Sequence, residues 1–162
     1  MGISTFPAAS AASKTRYITT LYTGTAWTVP DGVNYVNVTL YGGGGSAGTG
    51  DGNYGAQGPG GSSGACVSSN LVTTPGASIA YAIGAAGATI TTDSTAGATG
   101  GNTTFTGATT ANGGTGASSF GGSRKTANTF PGGANNASTT GTANGGGGSA
   151  ASSGKIDIEW WV

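Results

Sequence analysis

The chain has no histidine, a single cysteine, and only five basic and five acidic residues among 162. Each scarcity removes a class of chemistry. Without histidine, the usual general base of serine and cysteine hydrolases is missing. The lone Cys66 excludes an intramolecular disulfide, and no Cys/His cluster is present to hold zinc. A net charge of zero leaves no basic stripe to neutralise phosphates, so nucleic acid is not an expected partner. The apolar runs are all short, so no transmembrane helix and no membrane insertion are expected. Residues 1–20 hold an Ala/Ser-rich patch but no long apolar core behind a basic start, so they do not read as a secretory signal. Large apolar side chains are scarce as well: Leu, Ile, Val and Phe number 21 of 162. Ordering a backbone costs roughly 1–2 kcal/mol per residue, which so few side chains do not offset. Backbone hydrogen bonding and burial against further copies of the chain are expected to supply much of the rest.

What the chain has instead is glycine, 35 residues of it, gathered in blocks between short strand-like runs. Residues 17–22 are rich in Thr, Ile, Leu and Tyr and read as a first strand. Residues 26–29 follow, then Pro30-Asp31-Gly32 as a turn, since proline presets its own φ and glycine accepts a positive one. Residues 33–41 alternate with period two, placing Val36, Val38 and Leu40 on one face and Tyr35, Asn37, Thr39 and Tyr41 on the other. Further strands are expected at 65–72, at 78–83 after a Thr74-Pro75-Gly76 turn, and at 103–106. The last run, 155–162, alternates again and must dock into a sheet, near the first strands, or it would aggregate. Helical periodicity of ten residues or more is absent. The expected fold is all-β: a small antiparallel β-sandwich, jelly-roll-like, with long glycine-rich loops over 21–162, preceded by an arm at 1–20.

Between positions 42 and 64 twelve of 23 residues are glycine, and Gly52, Gly55, Gly58, Gly61 and Gly64 recur every third residue. Three residues per turn is the period of polyproline-II-type helices, which glycine lets pack closely; stacked polyglycine-II-type segments are one reading and plain loop the other. Residues 84–101 read as loop, and 108–154 as low complexity in which Phe120 and Phe130 are candidate anchors.

Catalytic-looking strings fail on context. Gly44-Gly45-Ser46-Ala47-Gly48 and Gly60-Gly61-Ser62-Ser63-Gly64 match the G-x-S-x-G elbow, which needs the base this chain lacks. Gly50-Asp51-Gly52-Asn53-Tyr54-Gly55 matches G-x-G-x-x-G, but no helix follows to receive a pyrophosphate. Asp157 and Glu159 share a face of their strand, a spacing open to acid/base work; the preferred reading is decoration of the solvent face of an edge strand. Asp51, Asn53 and Asp93 could offer oxygen ligands to Ca²⁺, but no metal or cofactor is assigned. Asn37, Asn102 and Asn136 open Asn-x-Ser/Thr triplets, expected by chance in this composition. The candidates for contact with a receptor are Asp51, Asn53 and Tyr54, where an aromatic stands on an adaptable backbone suited to sugars or peptides, and the basic pair Arg124-Lys125. Ile3, Phe6 and Pro7 are the apolar residues through which the arm would attach to another protein.

Several strings together carry a family resemblance. Trp27-Thr28-Val29-Pro30-Asp31-Gly32-Val33, Val36-Asn37-Val38 and the run from Gly42 to Gly45 resemble the opening of the glycine-rich domains of bacteriophage tail fibres and related virion surface proteins. Thr74-Pro75-Gly76 leading through Tyr81 to Gly84-Ala85-Ala86-Gly87, then Gly100-Gly101-Asn102-Thr103-Thr104-Phe105, resemble its middle, and the stretch from Gly154 to Trp160 its closing strand. The resemblance implies a non-enzymatic virion component, a homotrimer, assembled in the host cytoplasm and displayed on the particle exterior. Two roles fit it. One is a short fibre or adhesin whose loops bind a host glycan or protein, the arm at 1–20 joining another virion protein. The other is a capsid- or tail-decorating protein with no receptor role.

Overall fold

The computed structural model describes residues 14–50, 59–92, 94–119 and 151–162. Seven strands form two antiparallel sheets: β1 (Arg16–Leu21), β2 (Ala26–Thr28), β3 (Tyr35–Tyr41), β4 (Cys66–Val72), β5 (Ser78–Ala82), β6 (Thr104–Phe105) and β7 (Lys155–Trp161). One sheet has the order β1-β7-β3-β4 and the other β2-β5-β6. The all-β sandwich expected from the alternation is what forms, and the described residues include no helix.

Alternation decides the core. Val36, Val38 and Leu40 of β3 and Ile156 and Ile158 of β7 face inward with no accessible surface, and Tyr81 and Phe105 of the second sheet close over them. Trp27 bridges the layers, its ring 5.8 Å from that of Trp160 and 6.3 Å from that of Phe105. Val29 and Val33 seal the end of the core around the Pro30–Gly32 turn, where Gly32 takes a φ of +77°. The final strand docks where expected, but between β1 and β3 rather than at an edge. β3 and β7, the two strands of this sheet that carry fully buried residues, are its two central strands. β1 begins at Arg16 and pairs with β7 along six positions, so residues 16–20 of the segment read as an arm belong to the sheet.

Beyond the sheets the glycine blocks form a second ordered body. The β3–β4 ladder runs into it without a break: Tyr41 pairs with Cys66, and Gly42 N then donates to Ala65 O at 2.9 Å. Segment 42–50 becomes the centre of an array and is buried along its whole length. Its N–H groups donate in three directions by turns. Gly42, Gly45 and Gly48 reach carbonyls of 59–65; Gly43, Ser46 and Thr49 reach those of 95–101; Gly44 reaches Ser152. Its carbonyls accept from the directions between, Gly43 and Ser46 from Gly114 and Ala117, and Gly44 from Gly87. A bond to the same neighbour every third residue is the signature of a three-residue turn. The neighbours also bond to one another in the order 59–65, 112–118, 95–101, 84–87, 151–154. Around the centre, segments that run toward the sheets thus alternate with segments that run away from them.

Such a lattice has no room for side chains at the facing positions. A Cβ on Gly42, Gly45 or Gly48 would stand 2.1, 2.1 or 2.4 Å from the carbonyl oxygens of Asn112, Thr115 and Ser118. Gly97 and Gly100, three apart again, press on the carbonyls of Ser46 and Gly43. The stacked polyglycine reading therefore holds for the described glycines at 61 and 64, and extends into 84–87, 95–101 and 112–118, which the sequence presents as loop and low complexity. Gly52, Gly55 and Gly58 lie outside the described residues, as do Phe120 and Phe130.

Candidate functional site

The two bodies give the protein two poles. At the sheet pole, Thr15 N donates to Val162 O at 2.7 Å and Val162 N returns a bond to Thr15 O at 3.1 Å, so β1 starts where β7 ends. At the opposite pole the described chain leaves the array at Gly50 and re-enters at Pro59, turns over between Thr92 and Ser94, leaves at Ser119 and re-enters at Ala151. In the sequence, Asp51, Asn53 and Tyr54 fall between Gly50 and Pro59, and Arg124 and Lys125 between Ser119 and Ala151. All five lie outside the described residues, and so does Asp93. Ile3, Phe6 and Pro7, which precede Lys14 in the sequence, do so too. Among the described residues no group of three or more His, Cys, Asp or Glu side chains could hold a metal ion.

The described part of the loop pole is built on Thr49, 2% exposed. Its hydroxyl donates to Thr92 O at 2.5 Å and accepts from Thr95 N at 2.9 Å, while its own N–H donates to Thr95 O at 2.9 Å. Ser94 N donates to Gly50 O at 2.8 Å, and Ser94 takes a φ of +52°, an uncommon conformation for a residue other than glycine. One buried hydroxyl thus ties the end of segment 42–50 to both sides of a tight connection. A threonine among glycines carries no distinguishing mark in the sequence; only its place inside the array marks Thr49.

Asp157 and Glu159 do share the outer face of β7, and each is engaged across to β1. Asp157 accepts from Thr20 Oγ1 at 2.7 Å and from Lys155 Nζ at 2.7 Å. Glu159 is paired with Arg16. The arrangement ties the strands together. Beside it, Lys155 Nζ lies 4.5 Å from the centre of the Tyr41 ring. Burial, and next the neighbouring Cys66, push the Tyr41 phenol above its ordinary 10.0. The hydrogen bond to Asp157 holds Lys155 above its ordinary 10.5.

The sheet pole carries an apolar patch that alternation alone conceals. Tyr35 and Trp161 fall on the polar faces of their strands, yet register sets Trp161 beside Tyr35, with Val72 opposite Tyr35 on the other side. Tyr35 is 50%, Trp161 39% and Val72 84% exposed. Lys14, Gly32 and Asn34 join Tyr35 and Trp161 around a shallow concavity. The signal was present in the sequence as aromatics placed out of phase with the core at strand ends.

A sequence model of a family described as a glycine-rich domain matches residues 19–157. No curated protein matches the sequence.

Proposed function

The chain belongs to the family of glycine-rich domains, and from that premise we propose that it is a non-enzymatic surface protein of a bacteriophage particle, a short fibre or adhesin that meets its host through the loop pole. The observation that carries this reading is the separation of the poles. The described chain leaves the array at Gly50, Thr92 and Ser119, at the end away from the sheets, while Thr15 and Val162 are joined at the other. A protein that must be held at one end and make contact at the other has this layout. The chain before Lys14, with Ile3, Phe6 and Pro7, and the exposed Tyr35, Val72 and Trp161 form the attaching end, which meets another virion protein.

The array suits the task of the contacting end. It holds its own segments in place through backbone bonds rather than side-chain packing, a frame suited to carrying recognition residues on its connections. Asp51, Asn53, Tyr54, Arg124 and Lys125 supply polar, aromatic and basic groups for a glycan or protein at the cell surface. Each contact is weak by itself; a homotrimer gains by presenting three copies together. The particle exterior is the site of action.

The test is an adsorption assay on particles carrying altered protein. Replacing 51–58 by a Gly/Ser linker of equal length is expected to reduce adsorption or shift host range with the protein still on the particle. Deleting 1–13 is expected to strip it from the particle. Unchanged adsorption after replacement of 51–58, of 92–94 and of 120–150, with particle binding still dependent on 1–13, would leave decoration as the function.

A further inference from the structure

We propose that the domain is built to bear tension between its poles, with β7 as the clamp. The inference follows from strand order and direction. β1 runs from the sheet pole toward the array, and a pull on Lys14 draws it back along its own axis. β3 runs the same way and continues as segment 42–50, so a pull at the loop pole draws both outward along theirs. Between β1 and β3 lies β7, antiparallel to each, bonded to β1 over six positions from Arg16↔Trp161 to Leu21↔Ile156 and to β3 over six from Val36↔Trp160 to Tyr41↔Lys155. Antiparallel ladder bonds lie perpendicular to the strands, so such a pull shears both ladders and loads all of their bonds together.

The load then meets two further sets of bonds. β3 is held on its other side by β4 over seven positions. Segment 42–50 is held in the array by bonds to five described neighbours, all again across the direction of pull. Side chains reinforce the first ladder: Arg16 with Glu159, and Thr20 with Asp157, span β1 and β7. The termini offer the contrasting geometry. Thr15 and Val162 are paired at one pole, so drawing them apart opens the β1–β7 ladder one pair at a time from Arg16↔Trp161 inward. The same protein is strong in one direction and weak in another. The use of that strength, holding a particle to a cell, rests on the function proposed above; the directional resistance rests on topology alone.

Single-molecule force spectroscopy on the full chain separates the two. With Cys66→Ala as background, thiol handles are placed at Lys14→Cys and Tyr54→Cys in one protein and at Lys14→Cys and Val162→Cys in the other. Forced unfolding reports the unfolding rate along the pulled direction, and the thermal midpoint of each protein is measured alongside, so that a difference in equilibrium stability is separated from a difference in direction. At equal loading rate the pole-to-pole pair is expected to unfold at a distinctly higher force than the terminal pair. Equal forces, or a weaker pole-to-pole response, overturn the proposal. Asn53→Cys, on the same continuation of β3 past Gly50, provides a second handle if Tyr54→Cys impairs folding. No receptor enters the measurement, so its failure leaves the adhesin reading standing, and loss of that reading leaves the clamp standing.

Discussion

Gly45→Ala is the substitution the array should tolerate least. The added Cβ would stand 2.1 Å from the carbonyl oxygen of Thr115 and 2.4 Å from its carbon, against the 3.4 Å at which ordinary contact begins. Both obstacles are backbone, so no rotamer relieves them. Segments 42–50 and 112–118 must part by about 1.3 Å, the difference between those oxygen distances. The bonds that join them, Gly114 N to Gly43 O at 2.8 Å and Ala117 N to Ser46 O at 3.1 Å, would then stretch past hydrogen-bonding range. Buried peptide groups left unpaired cost about 1–3 kcal/mol per broken bond, and the opened seam forfeits dispersion contacts as well. The expected loss is about 4–5 kcal/mol, in the range that few single substitutions reach. Two comparisons calibrate it. Gly101→Ala meets Ala85 N at 2.8 Å and should cost less. Gly76→Ala meets nothing within 4 Å and pays only for its φ of +76°, about 1–2 kcal/mol. Urea unfolding followed by tryptophan fluorescence, with the slope unchanged across the series, gives the three values. If Gly45→Ala costs no more than Gly76→Ala, the close-packed array is not how these glycines act.

Thr49→Val keeps the shape of a side chain that is 2% exposed and removes its hydroxyl, so Thr95 N loses that acceptor. The amides of Ser94 and Thr95 should exchange with solvent roughly tenfold faster or more, on a loss of about 1–3 kcal/mol, and Thr49→Ser should restore them; unchanged exchange in Thr49→Val would count against the pinning. Stability should fall as pH rises above about 10. The folded states of Tyr41 and Lys155 hold their protons to higher pH than the unfolded chain does, since both groups are raised from 10.0 and 10.5. The stabilisation is therefore complete below the unfolded values and disappears as pH passes through the folded ones. Asp157→Asn removes the bond that raises Lys155 and should flatten the decline in denaturation midpoints measured from pH 9 to 11; a decline of equal steepness would refute that origin.

Much of the fold was legible because period two is an unambiguous signal. Val36, Val38 and Leu40 announce which face of β3 is inward, and Ile156 and Ile158 announce the same for β7. The position of β7 between β1 and β3 was not legible, since alternation specifies a face and says nothing of the neighbours. The array was half legible. The run Gly52 to Gly64 displays period three openly, whereas Gly42, Gly45 and Gly48 hold the same period under the adjacent Gly43 and Gly44, which serve other directions of the lattice. In 84–87, 95–101 and 112–118 the constraint falls on only some positions, with Ala, Ser and Thr at the rest, and composition then resembles loop. The candidate site was legible only as a list of residue types: that the described segments leave the array at one pole depends on segment direction, which hydrogen-bond partners reveal and composition does not.

The three-residue turn also sets a unit by which the protein can change size. One turn added to a segment that leaves the sheets, matched by one in the segment that returns, restores every bond direction of Gly43, Gly44 and Gly45 in the next layer and advances the far end by about 9 Å. An insertion of one or two residues would rotate all later glycines away from the carbonyls they face. Reach is therefore adjustable in triplets, and a whole out-and-back pair can be laid onto the outside of the array, with neither change touching Val38, Ile158 or any other residue of the sandwich core.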